Sequence, residues 1–116
     1  GIERINDDAA AWMRGEARDR PGILAKKVSP LWTRRLSRGT PSRADCDRLQ
    51  TALAAVGAHR LAMGHTVQRS GINAACGDRA WRIDVGLSKP YKLGITQALE
   101  IDGEKVSVLG KGATAR

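Results

Sequence analysis

Between residues 15 and 43 the backbone is punctuated by Pro21, Gly22, Pro30, Gly39 and Pro41. Proline removes an amide donor and fixes φ, and glycine adds backbone freedom, so no long helix or strand survives that spacing. The stretch is predicted to be irregular. It confines regular structure to a short piece before it and to the chain after about residue 44. A loop of this length in a small domain is usually functional or mobile.

On either side the hydrophobic periodicity is clear. Ile2, Ile5, Ala9, Trp12 and Met13 recur at helical spacing, which predicts an amphipathic helix over 2–14 closed by Gly15. A second helix is predicted over 44–56. Ser42 is placed to cap it, with Asp45 as a short version of the capping-box acid. Cys46, Leu49, Leu53 and Val56 form its apolar stripe, and Gly57 suits its left-handed end. Strand signals follow. The first is short, over 61–64. The second, over 79–85, alternates, with Trp81, Ile83 and Val85 on one face and Ala80, Arg82 and Asp84 on the other. The last two, over 97–101 and 105–109, flank Asp102-Gly103, a strong hairpin signal. Residues 110–116 read as a frayed tail. The order is helix, irregular loop, helix, then three or four mostly antiparallel strands, an α+β arrangement with its sheet toward the C-terminus.

The chain has 116 residues, enough for one small domain with a modest core. Lys and Arg number 20 against 12 acids, a formal charge of +8, which favours anionic partners: nucleic acid, phosphorylated substrates or an acidic protein. The basic residues are dispersed, as in any soluble arginine-rich protein. Three tryptophans and one tyrosine form no aromatic ladder of the kind that stacks nucleobases. Cys46 and Cys76 make no CxxC pair, which argues against a cysteine zinc site. A disulfide between them is open, and nothing in the sequence requires it. No run is long and apolar enough for a membrane span, and no signal pattern is present. The start at Gly1 without an initiator methionine suggests a processed product or a fragment. Nothing selects cytoplasm or periplasm.

Gly64-His65-Thr66 ends the first predicted strand. A glycine there allows a sharp turn, and sites of layered α/β proteins gather where strands end. Neutral imidazole is a common metal ligand. On this local pattern alone, His65 reads more readily as an ordinary loop histidine than as a ligand.

The wider context is more specific. "LAMGHTVQRSGINAACGDRAWRIDVGLS", followed by Tyr91 and "QALEI", resembles the C-terminal part of calcineurin-like metallophosphoesterases, in the bacterial-type branch of the phosphoprotein phosphatase group. "GIERIN" with Trp12-Met13 is similar to the helix after that branch's fourth metal motif. "SPLWTRRLS" resembles its loop with a phosphate-binding arginine. The resemblance covers nearly the whole chain.

It implies the C-terminal portion of a β-sandwich flanked by helices. It implies a metal-dependent phosphoric ester hydrolase, protein phosphatase-like, using two divalent ions (manganese, iron or zinc). His65 would be a metal ligand and Arg34 would bind phosphate. Asp84, Ser88 and Tyr91 match positions near the site. Substrates would be a phosphorylated protein or a small phosphomonoester, with no membrane partner and with nucleic acid disfavoured. The branch's Asp-x-His, Gly-Asp-x-x-Asp-Arg, Gly-Asn-His-Glu and second-histidine motifs are not in this chain, and His59 reads as surface or packing. The missing N-terminal half of the domain is therefore an expected partner. The isolated chain is expected to be inactive and to expose the face bearing Trp81, Ile83 and Val85. Thr33, Arg35, Pro90 and Lys92 depart from the pattern around the substrate mouth. The competing reading is a small basic, non-catalytic binding module for nucleic acid or an acidic protein, resting on the charge and on the arginines of 34–43.

Overall fold

The computed structural model describes residues 1–25, 29 and 32–112. They form two compact units, Gly1–Thr33 and Arg34–Arg116. The described architecture is mixed α+β, with three α-helices and five strands in two small sheets.

In the first unit, α1 spans Ile2–Met13. Arg14 closes it in an ordinary helical conformation, and its guanidinium grips Glu16 through two bonds of 2.7 and 2.8 Å. The helix buries none of its residues fully; Ile2 and Met13 stay exposed, while Ile5, Ala9 and Trp12 are half-covered. A short helix, α2, occupies Gly22–Ala25, inside the stretch predicted to be irregular. Pro21 precedes it and supplies a carbonyl to the Leu24 amide at 2.9 Å, so the punctuation starts a turn of helix instead of preventing one.

In the second unit, α3 spans Arg43–Ala55. The Ser42 hydroxyl accepts the Asp45 amide at 3.1 Å and donates to the Asp45 carboxylate at 2.6 Å. The cap is therefore present, although the acid bonds the capping hydroxyl and not the capping amide. Gly57 has φ +65°, as its place after the helix requires. Leu49 and Leu53 are buried from this helix, and Val56 is not. They pack on Ala80 with Leu36, Leu61, Met63, Ala75 and Cys76 around them. Burying a leucine contributes about 1.5–3 kcal/mol, so this cluster is the unit's main apolar anchor.

The first sheet has the order β1-β3-β2, from β1 (Leu61–Met63), β2 (Asn73–Ala75) and β3 (Ala80–Arg82). β3 is central, parallel to β1 and antiparallel to β2. β2 is too short to register as a strand in the sequence. The alternating pattern expected over 79–85 is corrected here. Ala80, Trp81 and Arg82 are all buried because a central strand has both faces covered. The strand ends at Arg82, after which Val85 is 2% exposed and Ile83 37%. The apolar face expected to lie open is thus largely used internally: Trp81 and Val85 are buried, and Trp81 also donates its indole N–H to the Asp78 carbonyl at 2.8 Å.

The second sheet is the hairpin of β4 (Thr96–Asp102) and β5 (Lys105–Lys111). Asp102 pairs with Lys105, so the turn residues are Gly103 and Glu104, one position beyond the expected Asp-Gly centre. The expected frayed tail is corrected at its start: Gly110 and Lys111 belong to β5, and 113–116 lie outside the described residues. Arg60 donates to Glu104 at its carbonyl (2.8 Å) and carboxylate (3.1 Å). Buried Gln97 accepts the Ile72 amide at 2.6 Å. These bonds tie the hairpin to the loop before β2 and to the start of β1. Cys46 and Cys76 form a disulfide, which answers the question the sequence left open and joins α3 to the turn between β2 and β3.

Candidate functional site

β1 stops at Met63 because Gly64 and His65 leave the ladder. The sharp turn expected at the glycine falls on the histidine: His65 has φ +61°, and Gly64 is not left-handed. A left-handed non-glycine residue costs about 1–2 kcal/mol, and such strain gathers at functional positions. His65 is exposed and opens on a cleft of about 470 Å³.

The cleft lies within the second unit. One wall comes from Arg34, Ser37, Arg38 and Gly39, and the other from the run 65–69. The walls are cross-linked. The Ser37 and Thr66 hydroxyls bond each other at 2.8 Å. The Gln68 side-chain amide donates to the carbonyls of Ser37 (3.1 Å) and Thr66 (2.7 Å). Behind the first wall, the Arg82 guanidinium donates to the carbonyls of Leu36 (2.8 Å) and Gly39 (2.9 Å). It also reaches the Asn73 side-chain oxygen at 3.4 Å. Among the described residues, burial of this charge is therefore compensated by hydrogen bonds and not by a carboxylate.

Arg34 and His65, distant in sequence, line the same cleft. The other expected site residues do not. Asp84 sits behind the second wall: its carboxylate accepts the Gly86 backbone amide at 2.9 Å and its carbonyl accepts the Gln68 backbone amide at 2.7 Å. Ser88 starts a single 3₁₀ turn over Lys89–Tyr91 and is exposed. Tyr91 packs its ring over Gly86. A Cβ at Gly86 would lie 2.9 Å from Tyr91 Cγ and 3.1 Å from Val67 Cγ1, and Gly86 has φ +61°. Only glycine fits there without displacement, and through Val67 the contact borders the cleft wall.

Several residues that shape the site were not singled out by the sequence. Arg82 reads only as one member of an alternating strand, on the face shared with Ala80 and Asp84, and no local signal marks it as a buried brace. Ser37 and Gln68 carry no motif. Arg35, which departs from the family pattern, turns to Asp45 at 3.3 Å beside Arg48 at 3.2 Å and does not line the cleft. The Ser42 hydroxyl, followed by Arg35 and Arg48, holds the Asp45 carboxyl below its ordinary value of 3.8.

The described lining of the cleft contains Arg34, Arg38, Arg69 and His65 and no acidic residue. It suits an anion. Among the described residues no three of His, Cys, Asp and Glu come together, so these residues do not form a metal-ion site by themselves. Among them, too, no helix is long and apolar enough to cross a membrane.

No protein-family model matches the sequence, and no solved structure matches it significantly. Shewanella-like protein phosphatase 2 of Arabidopsis thaliana is 40% identical over 104 residues, covering 87% of this chain and 27% of that protein. The likeness supports a phosphatase-family relationship. The chain spans about a quarter of the length of this curated relative.

Proposed function

We propose that this chain is the phosphate-binding portion of a metal-dependent, protein phosphatase-like phosphoric ester hydrolase. The carrying observation is that Arg34 and His65 line one basic cleft whose walls are cross-linked. The kinship with a protein named as a phosphatase supports the same reading.

Arg34 would bind the non-bridging oxygens of a phosphoester and offset charge that builds on them in the transition state. A guanidinium suits this because it is always charged and presents paired N–H donors. His65 would ligate a divalent ion (manganese, iron or zinc) of a pair whose remaining ligands come from outside these 116 residues. The chain alone is then inactive, and the substrate is a phosphorylated protein or a phosphomonoester.

The test uses the longer protein that carries this chain, purified with manganese and assayed on a phosphopeptide. Arg34→Ala is expected to lower kcat/KM by about 100-fold, as loss of one oxyanion donor does. His65→Ala is expected to remove activity and one equivalent of bound metal. Unaltered turnover in both variants overturns the assignment, as does turnover by the isolated chain that survives His65→Ala.

A further inference from the structure

We propose that Arg38 and Arg69 form a second anion subsite beside Arg34 and His65, selecting phosphopeptides with a further anionic group next to the phosphoester. The substrate class rests on the phosphatase reading above; the subsite itself rests on the cleft.

Three arginines line this cleft and no described acid does. Elsewhere in the same unit Arg35 and Arg48 share Asp45, Arg60 meets Glu104, and buried Arg82 is held by the carbonyls of Leu36 and Gly39. Arg38 and Arg69 take part in no ion pair among the described residues. One phosphoryl group engages one arginine fork, which leaves two further cationic residues lining the same cleft. A second anion offsets their like charge and gains charge-assisted hydrogen bonds. At about 470 Å³ the cleft has room for more than a single phosphoryl group.

The two arginines stand on opposite walls, one in the run 34–39 and one in 65–69. The Ser37–Thr66 and Gln68–Ser37 bonds hold those walls together, and Arg82 braces the first from behind. The backbone carrying both charges is thus set before a ligand arrives, which lowers the ordering cost of binding.

The experiment uses the longer protein and three peptides of one sequence. One carries phosphoserine in neutral flanks, one adds aspartates beside it, and one adds a second phosphoserine. Two exposed arginines are expected to give about a five- to tenfold higher kcat/KM for the anionic peptides, carried by KM. The Arg38→Ala/Arg69→Ala variant is expected to bring the ratio to one, and Arg38→Glu/Arg69→Glu to invert it. Comparing the second and third peptides shows whether carboxylate or phosphate is the preferred second anion. Equal kcat/KM for all three peptides overturns the subsite, as does a preference that survives both double variants.

If no peptide is hydrolysed, their binding is read by fluorescence anisotropy at low salt. Discrimination lost in the double variants then supports the subsite while the phosphatase reading fails. Equal binding of neutral and anionic peptides overturns the subsite. Tighter binding of a single-stranded oligonucleotide than of the doubly phosphorylated peptide also overturns it, in favour of nucleic acid.

Discussion

The Arg82 guanidinium, buried in β3, donates to the carbonyl of Leu36 at 2.8 Å, and a second nitrogen reaches the Gly39 carbonyl at 2.9 Å. One fork therefore fixes both ends of the wall that carries Ser37 and Arg38. Arg82→Leu leaves those carbonyls without their donor and is expected to cost about 1–3 kcal/mol in urea unfolding. Arg82→Lys keeps the charge but cannot reach both carbonyls. It is expected to weaken phosphopeptide binding by anisotropy as well. Lysine binding and unfolding like wild type would show that the fork is not what sets the wall.

His65 combines a left-handed backbone with an exposed imidazole on the cleft. His65→Ala and His65→Gly both remove the imidazole, but only glycine relieves the backbone. The glycine variant is expected to be more stable than the alanine variant by about 1 kcal/mol, the difference thermal unfolding would read. Both are expected to lack phosphatase activity in the longer protein. Equal stability of the two would mean that the φ value carries no strain.

At Gly86 the left-handed φ and the Tyr91 ring act together. Gly86→Ala is expected to destabilise by about 1–3 kcal/mol, because backbone and side chain must both shift. Adding Tyr91→Ala removes the clash but not the φ penalty, so it is expected to recover part of the loss. Full recovery would show that packing alone demands the glycine.

Much of the scaffold was legible because local chemistry decided it. The Ser42 cap, the Leu49–Leu53 stripe and the β4–β5 hairpin each follow from residues within a few positions of one another. The meeting of Arg34 and His65 was expected from the resemblance, since no local pattern joins positions so far apart. The role of Arg82 was not legible because period-2 alternation sorts residues onto two faces but does not say that both will be covered. A strand flanked on both sides buries both sets. β2 escaped because three residues, Asn73–Ala75, give no alternation to detect. Its pairing is set by the turn that brings it against β3.

Acid stability follows from Asp45. The native carboxyl is held low, first by the Ser42 hydroxyl and then by Arg35 and Arg48. A depressed native value means that the unfolded chain takes up the proton first as pH falls. The stabilisation is complete above the ordinary value of 3.8 and fades as pH drops through the lower native value. Asp45→Asn is expected to flatten the stability–pH curve below pH 4. Ser42→Ala removes the largest contribution and is expected to shift the acid transition upward. Superimposable acid transitions for wild type and Asp45→Asn would count against the arrangement.

The Cys46–Cys76 disulfide closes a loop with a sequence separation of 30, between α3 and the turn that leads into β3. Cys76 also packs against the Leu49–Leu53–Ala80 cluster, so the crosslink sits beside the unit's core and not at its rim. In the chain-entropy account, a loop of this size restricts the unfolded state by about 3–4 kcal/mol. For so small a core that is a large share of stability. Replacing both cysteines by alanine is expected to lower the urea midpoint by a corresponding amount, and reduction to do the same to wild type. The cleft should respond differently. Its walls are joined by the Ser37–Thr66 and Gln68–Ser37 bonds and braced by Arg82, none of which involves sulfur. Under conditions where the double variant remains folded, phosphopeptide affinity is therefore expected to equal that of wild type. A midpoint indifferent to reductant, or two free thiols titrated in the denatured oxidised protein, would remove the disulfide from this account. A matched loss of affinity and stability would show that the crosslink also positions the cleft.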